Sequence, residues 1–121
     1  MKKVMVLDDS ETVRKQVGAA LEGAGYAVVE AKDGVDGLSQ LESGLEISMV
    51  VLDINMPRMG GLEMLDRMRK REELADTPVL ILTTEADPTL IDRARAAGAK
   101  GWLVKPVKPD LLVKAVDRFL S

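Results

Sequence analysis

Four short aliphatic runs in this 121-residue chain end in residues equipped for chemistry. Residues 4–7 run out into Asp8 and Asp9, 47–52 into Asp53, 79–82 into Thr83, and 103–104 into Lys105. One such acid alone is commonplace, because acids after strands usually cap helices or face solvent. Three carboxylates, a hydroxyl and an ammonium at one edge are a different matter. Converging carboxylates repel each other, so either their pKa values rise or a cation neutralises them. Lys105 supplies one positive charge, and the remaining excess suits a divalent ion. The chain has no histidine and no cysteine. An oxygen-only ligand set favours Mg²⁺, with Mn²⁺ able to substitute, over zinc or copper. A carboxylate-held metal beside a lysine and a hydroxyl can bind a phosphoryl group. No glycine-rich phosphate loop of either common spacing is present. The expected donor is therefore a protein or small phosphoryl compound rather than a nucleotide, with a carboxylate as acceptor.

These residues need elements to bring them together. The runs at 4–7, 27–29, 47–52, 79–82 and 103–104 are short and rich in β-branched residues, as in strands covered on both faces. Between them apolar residues recur at helical spacing. The stripes are Val13, Val17, Ala20, Leu21 and Ala24; Val35, Leu38 and Leu41; Leu62, Leu65 and Met68; Leu90, Ala94 and Ala97; and Leu112, Ala115, Val116 and Phe119. Ser10 is placed to cap the first helix, while Gly25, Gly44 and Gly98 follow the first, second and fourth. Five strand–helix units predict an α/β fold: an open, doubly wound parallel sheet with helices on both faces. In such sheets the site lies outside the carboxyl ends of the strands, where these polar residues fall.

Composition removes other functions. Without cysteine or histidine there are no disulfides, thiol nucleophiles, imidazole ligands or Ser-His triads. Seventeen basic residues against twenty acidic ones give a formal charge of −3, and Tyr26, Trp102 and Phe119 are the only aromatics. Neither a basic face nor a stacking platform for nucleic acid is evident. No apolar run approaches the roughly 20 residues of a membrane span, and the N-terminus lacks the form of a signal peptide. A cytoplasmic location is expected.

Leu7-Asp8-Asp9-Ser10, Leu52-Asp53-Ile54-Asn55-Met56-Pro57, Leu82-Thr83-Thr84 and Val104-Lys105-Pro106 resemble the receiver domain of two-component response regulators. Each motif is weak alone. Four in order, at the family's intervals, are strong. The resemblance covers residues 1–121 as one receiver domain with no output domain. It is greatest to the single-domain chemotaxis regulators, the CheY-like proteins. It implies a flavodoxin-like, three-layer fold with five helices and strand order 2-1-3-4-5, an order that comes from the family and not from the sequence pattern.

Carried over by position, the resemblance implies that Asp53 is the phosphoacceptor and that Asp8, Asp9 and Asp53 hold the metal with the backbone carbonyl of Asn55. Lys105 would pair with Asp53 and then with a phosphoryl oxygen, aimed inward by a cis bond to Pro106. Thr83 would hydrogen-bond the phosphoryl group. Asn55 and Glu85 would tune how long that group lasts. Trp102 stands where the family more often carries tyrosine or phenylalanine, and Gly60 where many relatives carry an acid. Trp102 and Val104 are expected to alternate outward from strand five, with Ile91 beside them, as a switchable partner surface. Each residue also has a plainer role open to it: a cap for Asp9 or Ser10, a solvated lysine, packing for Met56, Met59, Met64 and Met68. The implied protein is a monomeric phosphorylation switch rather than a metabolic enzyme. Its expected partners are a sensor histidine kinase, a flagellar motor switch protein and a phosphatase, and its chemistry is self-phosphorylation and autodephosphorylation. A phosphorelay shuttle or non-motility regulator of the same fold is an alternative. A small Mg²⁺-dependent phosphohydrolase is another, although its second catalytic acid would be needed where Asn55 stands.

Overall fold

Each central strand places alternate side chains on opposite faces of the sheet, and both faces are apolar. In a computed structural model, which describes residues 1–55, 59–84 and 87–120, the strands are β1 (Lys3–Leu7), β2 (Ala27–Ala31), β3 (Met49–Asp53), β4 (Val79–Thr83) and β5 (Gly101–Val104). All pair in parallel in the order β2-β1-β3-β4-β5. The chain crosses over through α1 (Glu11–Gly23), α2 (Gly34–Glu42), α3 (Gly61–Arg69) and α4 (Pro88–Ala96), and closes with α5 (Pro109–Leu120). The flavodoxin-like expectation is met.

Two cores flank the sheet. Val4, Val6, Met49, Val51, Leu80 and Leu82 pack against Val17 and Leu21 of α1 and Leu112 and Val116 of α5. Met5, Leu7, Val50, Leu52, Val79 and Ile81 pack against α2, α3 and α4. Burial on both faces explains why the strands read as unbroken aliphatic runs. Ser10 caps α1, its Oγ accepting from the Val13 N–H at 3.3 Å, and Gly25, Gly44 and Gly98 take positive φ after their helices.

The elements differ from the sequence pattern in four places. β2 extends through Glu30 to Ala31 because Arg14 and Lys15 of α1 pair with Glu30 and neutralise it. β5 begins at Gly101, and β3 begins at Met49 rather than at residue 47. In α2 the buried face is Gly34, Gly37, Leu38 and Leu41, whereas Val35 is exposed. A Cβ on Gly37 would lie 2.3 Å from Leu7 Cδ2. The helix sits against β1 through a residue without a side chain, which apolar periodicity does not register. No helix among the described residues is long and apolar enough to cross a membrane.

Candidate functional site

Parallel pairing fixes where the strand ends fall. β1 and β3 are in register from Val4 with Met49 to Leu7 with Leu52, so Asp8 and Asp53 leave the sheet side by side. Asp53 pairs with Leu82, which sets Thr83 one step beyond it on the neighbouring strand. Lys105 follows β5, and its N–H donates to the Thr83 carbonyl at 2.7 Å. After β3 the chain turns back sharply: the Gly61 N–H donates to the Ile54 carbonyl at 3.1 Å. A Cβ on Gly61 would stand 2.6 Å from the Asp53 carbonyl oxygen, so this close return needs glycine.

Asp8, Asp53 and Thr83 are buried, while Asp9 is exposed. One carboxylate oxygen from each of Asp8, Asp9 and Asp53 lies within 4.8 Å of the others. Lys105 Nζ stands 2.7 Å from Asp8 Oδ2 and 3.3 Å from Asp53 Oδ2, so it bridges both acids and lies nearer Asp8. The shorter contact is an ion pair without hydrogen-bond alignment. Asp8 Oδ2 is thus buried with no hydrogen-bond partner among the described residues. The remaining carboxylate oxygens are held from the backbone: Ser10 N–H donates to Asp8 Oδ1 at 2.9 Å and Asn55 N–H to Asp53 Oδ1 at 3.2 Å. Arg14 Nη1 donates to the Asp8 carbonyl at 2.7 Å and fixes the start of the β1–α1 turn.

Burial pushes the Asp53 carboxyl up to about 6, with the Asp8 charge adding to it and the Asn55 N–H and Lys105 opposing. Burial alone would lower Lys105, but Asp8 and Asp53 outweigh it and its pKa rises. The site therefore carries more negative charge than one ammonium balances. A buried oxygen whose sole partner among the described residues is the Lys105 ion pair, with two further carboxylates beside it, fits a hard divalent cation.

Trp102 and Val104 lie on the exposed side of β5, 39% and 45% accessible, and Ile91 of α4 is half-buried. A cavity of about 200 Å³ separates α4 from β4 and β5, with Thr83, Ile81, Ile91, Ala94 and Trp102 among its walls. Glu85, Met56 and Pro57 lie outside the described residues. Sequence reasoning missed the Lys105–Asp8 contact, the Arg14 tie and the exposed Leu111 of α5. The first two are contacts across the sheet edge that no local pattern encodes.

Residues 4–117 match the family described as the response regulator receiver domain. The chain belongs to that family. This receiver domain is 31% identical over 120 residues to chemotaxis protein CheY1 of Helicobacter pylori, covering 98% of this chain and 97% of that protein. It is 32% identical over 120 residues to a chemotaxis protein CheY homolog of Campylobacter jejuni, covering 98% and 92%. The solved structure of Vibrio cholerae chemotaxis protein CheY4 superposes with a TM-score of 0.93 at 39% identity, covering 98% of each chain. The protein is thus a CheY-like receiver domain of a two-component system, a regulator by type, and a histidine kinase is the partner such a domain implies. Receiver domains are generally Mg²⁺-dependent, and the Asp8, Asp9 and Asp53 cluster could hold such an ion.

Proposed function

We propose that this receiver domain accepts a phosphoryl group on Asp53 from the phosphohistidine of a sensor kinase and serves chemotactic signalling from the cytoplasm. The observation that carries this reading is the convergence of three carboxylates, two of them paired with Lys105, with one buried oxygen left without a hydrogen bond. Asp8, Asp9, Asp53 and the Asn55 carbonyl would hold Mg²⁺. When bound, the ion offsets charge on the carboxylates and on the phosphoryl oxygens. An Asp53 carboxylate oxygen attacks phosphorus, the bond from phosphorus to the imidazole nitrogen breaks, and its electron pair leaves with the imidazole. Lys105 shifts from its two carboxylates toward a phosphoryl oxygen, and the Thr83 hydroxyl donates to another. Water attack on phosphorus later regenerates the carboxylate and releases phosphate, at a rate tuned by Asn55 and Glu85.

The new charge, about −1.5 to −2 by analogy with phosphorylated hydroxyls, draws Thr83 and Lys105 toward Asp53. Space opens toward the cavity beneath α4, which Trp102 can enter. That movement alters the surface made by Trp102, Val104 and Ile91. The relatives' names support a motility role, with a flagellar motor switch protein as target and a phosphatase to reset the switch. Acetyl phosphate with Mg²⁺ should add one phosphate by mass spectrometry. The adduct should be absent without Mg²⁺ and in Asp53→Asn. An adduct that persists in Asp53→Asn would overturn the assignment.

A further inference from the structure

Arg69, the last residue of α3, makes five hydrogen bonds to carbonyl oxygens on two other segments. Nε donates to Ala97 at 2.9 Å and Nη2 to Gly98 at 3.2 Å, both at the C-terminal end of α4. Nη1 is shared among Leu74, Ala75 and Thr77 in the link to β4, at 3.2, 3.1 and 2.9 Å. Burial lowers the Arg69 pKa, and the cost of placing a guanidinium there is met by these carbonyls. A planar fork can span both segments at once, which a single ammonium cannot.

The helix that Arg69 holds is loosely seated. Ala94 is the buried residue of α4, and the cavity of about 200 Å³ lies beneath it. The Gly98 N–H donates to the Arg95 carbonyl at 2.9 Å, so the backbone that Arg69 grips also carries Arg95. The Arg95 guanidinium lies over the Trp102 ring, 5.1 Å from its centroid. A continuous set of contacts runs from Arg69 through the end of α4 to the indole. A cavity of about 150 Å³ accommodates benzene, so the space beside Trp102 is of the size an aromatic ring can use.

We propose that Arg69 and Arg95 form a latch that holds Trp102 outside the cavity in the unphosphorylated protein. Arg69 is a positioning residue: it fixes the last turn of α4, which places Arg95 on the ring. Releasing either arginine lets the indole settle inward without any phosphoryl group. The latch rests on the reading of Trp102 as the moving part of the switch, but it acts in the resting state and can be tested there.

The chain has one tryptophan, so its emission reports the indole directly. In Mg²⁺-free, unphosphorylated protein, Arg69→Lys and Arg95→Ala should both shift the emission to shorter wavelength and reduce quenching by acrylamide. The double variant should match the single ones, because both act on the same set of contacts. A helix end that merely loosened would expose the ring and shift the emission the other way. Unchanged or longer-wavelength emission in either folded variant overturns the latch, and Arg69→Gln replaces Arg69→Lys if that variant does not fold. Wild-type protein with beryllofluoride and Mg²⁺ tests the underlying reading separately. No emission change there, alongside inward shifts in the variants, would leave the latch standing and remove Trp102 from the phosphorylation response.

Discussion

Asp53 is a buried acid whose environment departs far from water. An unfolded-chain carboxyl titrates near 3.8, and in the fold burial raises it to about 6. Between those values the folded state keeps a proton that the unfolded state has lost, so the proton favours folding. This contribution is full below about pH 4 and is lost as pH rises through about 6. The difference is on the order of 3 kcal/mol for the metal-free protein. Asp53→Asn removes the group that must ionise. The variant should therefore be more stable than the wild type at pH 7 without metal and about equal to it near pH 4. Urea denaturation at the two pH values checks both halves. A stability difference that did not depend on pH would mean that folding leaves this carboxyl unshifted. The residue types at this site were legible in the sequence because acids and a lysine closed aliphatic runs. Which acid Lys105 approaches most closely was not, since that depends on how far β5 lies from β1 across the sheet edge.

At the scale of elements, the strand–helix alternation was readable because burial on both faces leaves uninterrupted aliphatic runs and helices leave a 3.6-residue period. The reading failed where small residues do the packing. Apolar periodicity assigned Val35 to the core side of α2, yet the helix turns Gly34 and Gly37 inward and leaves Val35 in solvent. Arg69 was equally invisible: a cation near the end of a helix reads as solvated, and its five acceptors are backbone carbonyls with no sequence signature. The α2 contact can be tested. Gly37→Ala puts a methyl 2.3 Å from Leu7 Cδ2 and 3.0 Å from Met64 Cε. Alanine favours the helix by about 1 kcal/mol, but overpacking a tight core costs about 1–3 kcal/mol. The clash should win, giving a lower denaturation midpoint. If Gly37→Ala were more stable, α2 would have room to move away from β1.

Across the whole molecule, the proposed ion couples the site to the fold. A ligand that binds only the folded state stabilises it by about 2.7 kcal/mol at a hundred times its Kd. At about 4 °C per kcal/mol for a chain of this size, Mg²⁺ should raise Tm by about 10 °C at pH 7. The rise should be smaller near pH 5, where Asp53 is largely protonated before metal binds. Asp9 separates the charge effect from the ligand effect. Taken from the sequence, Asp9→Asn should both weaken Mg²⁺ binding and relieve repulsion in the metal-free protein. In the structure, however, Asp9 is exposed while Asp8 and Asp53 are buried. Water screens its repulsion, so metal-free Tm should barely move. Its role as a ligand is not screened in that way. Removing even an outer hydrogen-bond partner of a metal ligand costs 10–100-fold in affinity, so losing Asp9 itself should cost about tenfold or more. That loss removes about 1.4 kcal/mol of the Mg²⁺-dependent stabilisation, or about 5 °C of the rise. Scanning calorimetry of both proteins, with and without Mg²⁺, distinguishes the cases. Equal Mg²⁺-dependent rises would exclude Asp9 as a ligand and leave the buried pair Asp8 and Asp53 to hold the ion.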